Sequence, residues 1–133
     1  IKEIEKYRKK DYVRIFPNMP RTKFLSLLKM ANVLIGNSSS GIIEAPALKL
    51  PVINIGTRQK GRLRAQNVID VDYNENQIVK AVRKALFDKE FKKKMKNCSS
   101  PYGNGKSSEK IIKILEELKI DDSLLNKKFL VIN

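Results

Sequence analysis

The chain has 133 residues, 41% of them hydrophobic and 32% charged, which is the length and apolar content of one globular domain that needs neither disulfides nor a metal to fold. It contains no histidine and one cysteine, Cys98, which excludes a disulfide within the chain, a Cys/His zinc site and any catalytic triad or dyad that uses histidine. The 28 basic and 14 acidic residues give a net charge of +14, so a nucleic acid or another polyanion has to be considered as a partner.

The amino-terminal part predicts a helix, a strand and a second helix. Residues 1–10 begin with apolar side chains at helical spacing and no capping residue, which is typical of the middle of a helix and indicates the carboxy-terminal piece of a longer protein. Residues 12–16 are rich in β-formers and end at a Pro-Asn-Met-Pro turn, which predicts a strand. Apolar residues at 24, 27, 28 and 31 predict an amphipathic helix.

The central part alternates short apolar runs with helical segments. Strands are predicted at 33–35, 52–55 and 67–71, and the wholly apolar run 33–35 is typical of a strand covered on both faces. A short helix is predicted at 42–48, where Pro46 should bend or shorten it because proline lacks a backbone donor. This alternation predicts an α/β fold, a Rossmann-like parallel sheet with helices on both faces.

The carboxy-terminal part predicts further helices. Asn74 and Gln77 resemble a capping box at the start of one helix, and residues 88–97 predict the next. The remaining predictions are a turn at 101–105, an amphipathic helix capped by Ser107 or Ser108, and a tail at 121–133. We expect residues 1–133 to form a single domain.

Residues 36–41, Gly-Asn-Ser-Ser-Ser-Gly, lie between a predicted strand and a predicted helix, at the edge where α/β proteins bind ligands. Small residues let a ligand approach the backbone, and hydroxyls together with the N–H groups of the first helical turn favour an anion such as phosphate. Ordinary N-capping by Ser39 or Ser40 explains the same pattern, and the spacing alone fits both.

Two charged positions near this loop also have two explanations each. Glu44 either complements the positive end of the helix or, if a nucleotide diphosphate is bound there, accepts hydrogen bonds from a ribose diol. Arg58, Arg62 and Arg64 follow the next strand and so reach the same edge, where three arginines suggest bidentate recognition of an anion. Each arginine taken singly is typical of a surface charge, and Arg58 lies nearest to the strand end.

Several motifs, taken in order, resemble the carboxy-terminal half of the UDP-N-acetylglucosamine 2-epimerases. They lie at 35–41, 44, 51–59, 61–62, 67–68 and 101–105, within a resemblance that runs from about Tyr12 into the tail and includes 127–129. The Asn-Ser-Ser-x-Gly and Gly-Thr-Arg-Gln forms resemble the hydrolysing branch, which makes N-acetylmannosamine or a related sugar for sialic or legionaminic acid synthesis. A non-hydrolysing epimerase, which returns UDP to the sugar, is the closest alternative.

The resemblance implies a GT-B-like architecture, in which two Rossmann-like domains hold the nucleotide sugar between them and this chain is most of the second domain. It implies that the backbone of Met19 meets uracil and that Glu44 holds the ribose. The positions implied to bind the diphosphate of UDP are Ser38, Ser39, Ser40, Gly41 and Arg58.

The family's reaction eliminates UDP across C1 and C2 of the sugar and then adds water with inversion at C2. The resemblance places its acid/base carboxylates in the first domain and its histidine early in the second, outside this chain. The chain is therefore expected to have no catalytic residues of its own, no metal and no cofactor. The implied partners are UDP, a UDP-N-acetylhexosamine substrate, the amino-terminal domain and further copies of the complete enzyme in a homo-oligomer.

A polyanion-binding module is the alternative from a different class. The excess of basic residues lies at the two ends of the chain and lacks interleaved aromatics, so solvated helix faces explain the charge better than a nucleic-acid partner does. No stretch approaches the roughly 18 apolar residues that a membrane span requires, and the start shows no signal-peptide pattern. We expect a soluble, cytoplasmic protein.

Overall fold

The computed structural model describes residues 2–126 and divides the chain into two compact units, Ile1–Pro101 and Tyr102–Asn133. In the first unit, three parallel strands form one sheet in the order β1 (Leu34–Gly36), β2 (Val52–Ile55) and β3 (Val68–Val71). The helices of this unit are α1 (Lys2–Glu5), α2 (Arg21–Met30), α3 (Ser40–Ile43), α4 (Glu75–Phe87) and α5 (Lys89–Lys96). The second unit contains α6 (Ser107–Glu117) and α7 (Asp122–Leu125).

The central strand β2 is buried on both of its faces because successive side chains of a strand point to opposite sides. Ile53 packs against α4 and α5 in a cluster with Ala81, Ala85, Phe91, Met95 and Cys98. Val52 faces the other way and packs against α2 and the segment after α3, in a cluster with Leu28, Ala45 and Leu50. The predicted parallel sheet with helices on both faces is confirmed.

The predicted strand at 12–16 is wrong. This segment is irregular, and Tyr12 and Phe16 are exposed. A strand exists only where a neighbouring strand completes its hydrogen-bond ladder, and within residues 2–126 none pairs with this segment. The predicted first helix is also shorter than expected, since α1 ends at Glu5 and turns follow it.

The segments around α3 differ from the prediction in two ways. Ile35 in β1 is 47% exposed rather than buried, because it packs against neither core cluster on the two faces of the sheet. The helix predicted at 42–48 instead begins at Ser40 and ends at Ile43. It stops there because Pro46 has no N–H to donate to the carbonyl of Ile42, and turns continue to Lys49.

The caps of α4 and α5 follow the sequence pattern. The Asn74 side chain accepts from the backbone N–H of Gln77 at 3.0 Å, which is half of the predicted capping box. Gln77 does not complete it, because its side chain accepts from the N–H of Asp72 instead. Asp88 ends α4 and begins α5, where its carboxylate accepts from the N–H of Phe91 at 2.7 Å.

The second unit contains the predicted amphipathic helix as α6, but its predicted serine cap is wrong. Ser107 lies inside the helix, and the preceding residue, Lys106, makes no side-chain capping bond. The first residues of the predicted tail contain α7, whereas residues 127–133, including the motif positions 127–129, lie outside the described residues. Of the helices in the described part, none is long and apolar enough to cross a membrane.

Candidate functional site

The loops after β1 and β2 leave the sheet side by side. Gly36, the last residue of β1, pairs in parallel register with Asn54 near the end of β2. Residues 37–39 and 56–59 therefore begin at the same carboxyl edge of the sheet, as predicted, which is the position where open α/β sheets bind ligands.

The serines of the first loop have different environments. Ser38 is exposed and Ser39 half-buried, whereas Ser40 is only 7% exposed and its hydroxyl lies 2.8 Å from that of Ser38. Ser38 also accepts from the N–H of Ser40, and its carbonyl accepts from Gly41 at 3.2 Å. Ser39 occupies the N-cap position of α3, but its side chain makes no capping hydrogen bond, so the explanation of Ser39 as a side-chain cap is wrong.

Gly41 holds α3 close to the sheet. A Cβ atom at this position would lie 2.7 Å from Cγ1 of Val52, which is shorter than any normal contact. The absence of a side chain at Gly41 therefore lets α3, and with it the serine loop, approach β2 closely. Because α3 is a single turn, its dipole is weak, and any anion here depends on the hydroxyls and N–H groups of the loop itself.

The loop after β2 reaches across to the serine loop through two side chains. Arg58 is exposed, and its Nη1 donates to the backbone carbonyl oxygen of Asn37 at 3.3 Å. Gln59 is buried, and its Nε2 donates to the same oxygen at 2.7 Å. The structure thus brings the predicted ligand Arg58 next to the predicted diphosphate loop.

Glu44 lies beside the beginning of α2. Its carboxylate Oε1 is 3.5 Å from Nη2 of Arg21, and the side chains are 22% and 76% exposed, respectively. Arg21 follows the turn that contains Met19, and its ion pair with Glu44 lies between the start of α2 and the residue after α3. Met19 is half-buried, and its N–H donates to the side chain of Asn18 at 2.8 Å.

The arginines of the second loop have different environments, since Arg62 is exposed and Arg64 is bonded to β3. The guanidinium of Arg64 pairs with Asp70 at 3.0 Å and donates to the backbone carbonyl of Gln59 at 3.0 Å. It therefore connects the loop to β3. Asp70 in turn accepts from the side chain of Asn54 at 2.6 Å. These contacts border a polar cavity of about 350 Å³ at the β3 side of the edge, also lined by Gly56, Thr57 and Lys60.

Two residues at the site were not predicted. Arg21 has no sequence signal beyond its place after a proline turn. Gln59 ends the Gly-Thr-Arg-Gln motif, but a glutamine in a polar loop does not by itself indicate a role. Both residues contact partners more than twenty positions away in the sequence, Arg21 with Glu44 and Gln59 with Asn37. Within residues 2–126, no group of three or more His, Cys, Asp or Glu side chains is placed to hold a metal ion.

Comparisons with known proteins agree on one family. The sequence model of the family described as UDP-N-acetylglucosamine 2-epimerase matches residues 1–116. The chain is 50% identical over 117 residues to "GDP/UDP-N,N'-diacetylbacillosamine 2-epimerase (hydrolyzing)" of Campylobacter jejuni, an alignment that covers 88% of this chain and 30% of the relative. It is 41% identical over 124 residues to "UDP-N,N'-diacetylbacillosamine 2-epimerase (hydrolyzing)" of Legionella pneumophila, covering 93% and 32%.

The fold comparison agrees with the sequence comparison. The chain superposes on the solved structure of UDP-GlcNAc 2-epimerase from Methanocaldococcus jannaschii with a TM-score of 0.68 and 29% identity, covering 86% of this chain and 31% of that one. This chain spans about a third of the length of the relatives that it matches.

Proposed function

Because the chain belongs to the UDP-N-acetylglucosamine 2-epimerase family, we propose that it is the carboxy-terminal, UDP-binding part of a hydrolysing 2-epimerase. In this proposal residues 1–133 form one UDP-binding domain with a tail at 121–133. The complete enzyme releases UDP from a UDP-N-acetylhexosamine and forms a sugar of the N-acetylmannosamine type. The names of the two bacterial relatives, both hydrolysing enzymes, support this branch over the non-hydrolysing one.

The observation that carries the proposal is the meeting of two loops at one sheet edge. The exposed Ser38 and half-buried Ser39 stand on one loop, and the exposed guanidinium of Arg58 reaches that loop from the other. Hydroxyl donors beside a guanidinium suit the two phosphates of UDP, because Arg binds phosphate oxygens through paired, charge-assisted hydrogen bonds.

The remaining roles follow the same edge outward. Ser40 and Gly41 lie deeper and support the diphosphate loop, with their backbone near the phosphates. Glu44 accepts from the ribose hydroxyls, and the turn at Met19, two residues before the Arg21 that pairs with Glu44, lies on the uracil side. The three parts of UDP are thus assigned to three neighbouring segments of the first unit.

We assign the chemistry at C1 and C2 of the sugar to the amino-terminal domain and to a histidine outside this chain. The chain contains no histidine, and no role for a metal or another cofactor is assigned to it. The proposal further includes a cytoplasmic enzyme that works as a homo-oligomer in sialic or legionaminic acid synthesis. A nucleic acid is not part of this proposal.

Calorimetric titration of the 133-residue chain with UDP and with uridine tests the diphosphate site. UDP should bind more tightly than uridine, and Ser39→Ala should weaken UDP selectively by about 1.5 to 3 kcal/mol, the contribution of one hydrogen bond to a charged group. Ser26→Ala is the matched control, because the Ser26 hydroxyl bonds the carbonyl of Thr22 within α2, away from the loop. Equal affinities for UDP and uridine in the wild type would overturn the proposal.

Titration with UDP and with a DNA duplex at two salt concentrations separates this site from a general polyanion surface. A surface that contacts many backbone phosphates loses roughly 10³-fold or more in affinity between about 50 and 200 mM salt. UDP in a defined site should lose far less. Product analysis on the complete enzyme distinguishes the two branches, since the hydrolysing reaction frees UDP and the non-hydrolysing one does not.

A further inference from the structure

Gln59 is a buried amide that joins the two loops of the site. The residue is 2% exposed, and its Nε2 donates to the carbonyl oxygen of Asn37 at 2.7 Å across 22 residues of sequence. The backbone carbonyl of Gln59 accepts from Nη2 of Arg64 at 3.0 Å, and Arg64 pairs with Asp70 on β3. A chain of contacts therefore runs from the sheet through Gln59 to the loop that carries Ser38.

Stability alone does not explain an amide at this position. The Oε1 atom of Gln59 is buried and has no hydrogen-bond partner among the described residues. A buried acceptor without a partner lowers stability, whereas an apolar side chain of similar length would fill the same space without that cost. The bond to Asn37 is what distinguishes glutamine from such a side chain.

That bond sets the direction of the peptide between Asn37 and Ser38. No cis peptide bond occurs in the described chain, and in a trans peptide the carbonyl and the following N–H point in opposite directions. Because Gln59 holds the Asn37 carbonyl toward the second loop, the N–H of Ser38 points away from it. The orientation of this donor is thus determined by a side chain from a neighbouring loop.

We propose that Gln59 is a positioning residue for the diphosphate, which it serves by fixing the Asn37–Ser38 peptide; this rests on the function proposed above. Arg58 donates to the same carbonyl, but through a longer bond of 3.3 Å and from an exposed side chain. The two donors therefore have different roles in this proposal. Arg58 is free to turn toward the phosphates when the nucleotide binds, and Gln59 keeps the peptide in place.

The test compares Gln59→Met and Gln59→Glu with the wild type in the full 133-residue chain. Methionine has a similar length and no donor, and glutamate has the same shape but a carboxylate that cannot donate to the Asn37 carbonyl. We expect each variant to bind UDP at least about tenfold more weakly, the equivalent of one hydrogen bond, with uridine affinity changed less than about threefold. The thermal midpoint of Gln59→Met should stay near that of the wild type.

Gln77→Met is the control, because the Gln77 amide accepts from the backbone of Asp72 and does not touch Asn37. It should leave the preference for UDP over uridine unchanged. If the wild type prefers UDP and Gln59→Met keeps that preference, the inference fails while the proposed function stands, whatever Gln59→Glu does, because a carboxylate near phosphates weakens UDP by repulsion alone. If the wild type shows no preference, the proposed function itself fails. Loss of folding in both Gln59 variants would also overturn the inference, because it would make the amide a structural requirement.

Discussion

The carboxylate of Glu44 has two candidate partners, Arg21 in the structure and a ribose diol in the proposed complex. The contact with Arg21 joins Oε1 to Nη2 at 3.5 Å, and the arginine is mostly exposed. An ion pair of this kind contributes about 0 to 1 kcal/mol, so it does not by itself account for a carboxylate at this position. It also leaves Arg21 able to move when a ligand approaches.

Substitution of either partner separates the two roles. Glu44→Gln and Arg21→Gln both remove the ion pair, so both should lower the free energy of unfolding by about 0 to 1 kcal/mol. Glu44→Gln alone should also remove the preference for UDP over 2′-deoxy-UDP, by about 1 kcal/mol or more, because a ribose hydroxyl then loses its charged acceptor.

The preference is measured by titrating both nucleotides into each variant, and unfolding in urea supplies the stability. Arg21→Gln is the matched control, since it keeps the carboxylate. A wild type that binds the two nucleotides equally, or a Glu44→Gln variant that still distinguishes them, would show that Glu44 does not hold the ribose.

The close approach of α3 to β2 positions the serine loop. This approach is possible because Gly41 has no side chain and so leaves room for Val52, which is only 2% exposed. A larger residue at either position changes the fit, because protein interiors are packed as densely as organic crystals.

Gly41→Ala should therefore destabilise the chain by about 1 to 3 kcal/mol, although alanine is the better helix former. The same substitution in a Val52→Ala background should cost nothing or stabilise the protein, since the atom that the new Cβ meets is gone. Urea unfolding of the wild type, both single variants and the double variant measures this coupling, expected at about 1 kcal/mol or more. An equal effect of Gly41→Ala in both backgrounds would show that the contact with Val52 does not limit the approach.

In the proposed function, this chain forms only one of the two domains that hold the nucleotide sugar. It spans 30% and 32% of the two bacterial relatives, and it contains no histidine. We therefore expect the 133-residue chain to bind UDP weakly and to form no N-acetylmannosamine-type sugar from a UDP-N-acetylhexosamine.

Chromatographic separation of the sugars, in a preparation free of the complete enzyme, measures this outcome. The complete enzyme containing the same 133 residues is the positive control and should release UDP from the same substrate. Sugar formation by the chain alone would place catalytic groups within it and would contradict the division of labour proposed here.

Much of the fold could be predicted from local pattern. β2 has the predicted bounds of 52–55, and α4 begins directly after the predicted cap at Asn74. These elements are determined locally, since a short apolar run or a 3.6-residue period is present in the sequence itself. The position of the serine loop at the carboxyl edge followed from the same alternation of strands and helices.

The contacts of the site could not be predicted in this way. The sequence places Arg58, Arg62 and Arg64 in one polar loop, and only the fold separates Arg58, which reaches Asn37, from Arg64, which holds the loop to β3. Gln59 is polar and lies in that loop, yet it is buried. Burial and partner choice depend on segments distant in sequence, which no local pattern reports.

Local pattern was enough to predict β1, β2 and β3, the helices α2 and α4, and, through the motifs, the family. Only the fold shows that residues 12–16 form no strand, that the Ser39 side chain does not cap α3, and that Gln59 connects the two loops. The physical reason is the range of the interactions. Propensity and periodicity act between near neighbours, whereas a β-ladder, a buried amide and a close helix–strand contact each need a partner from elsewhere in the fold.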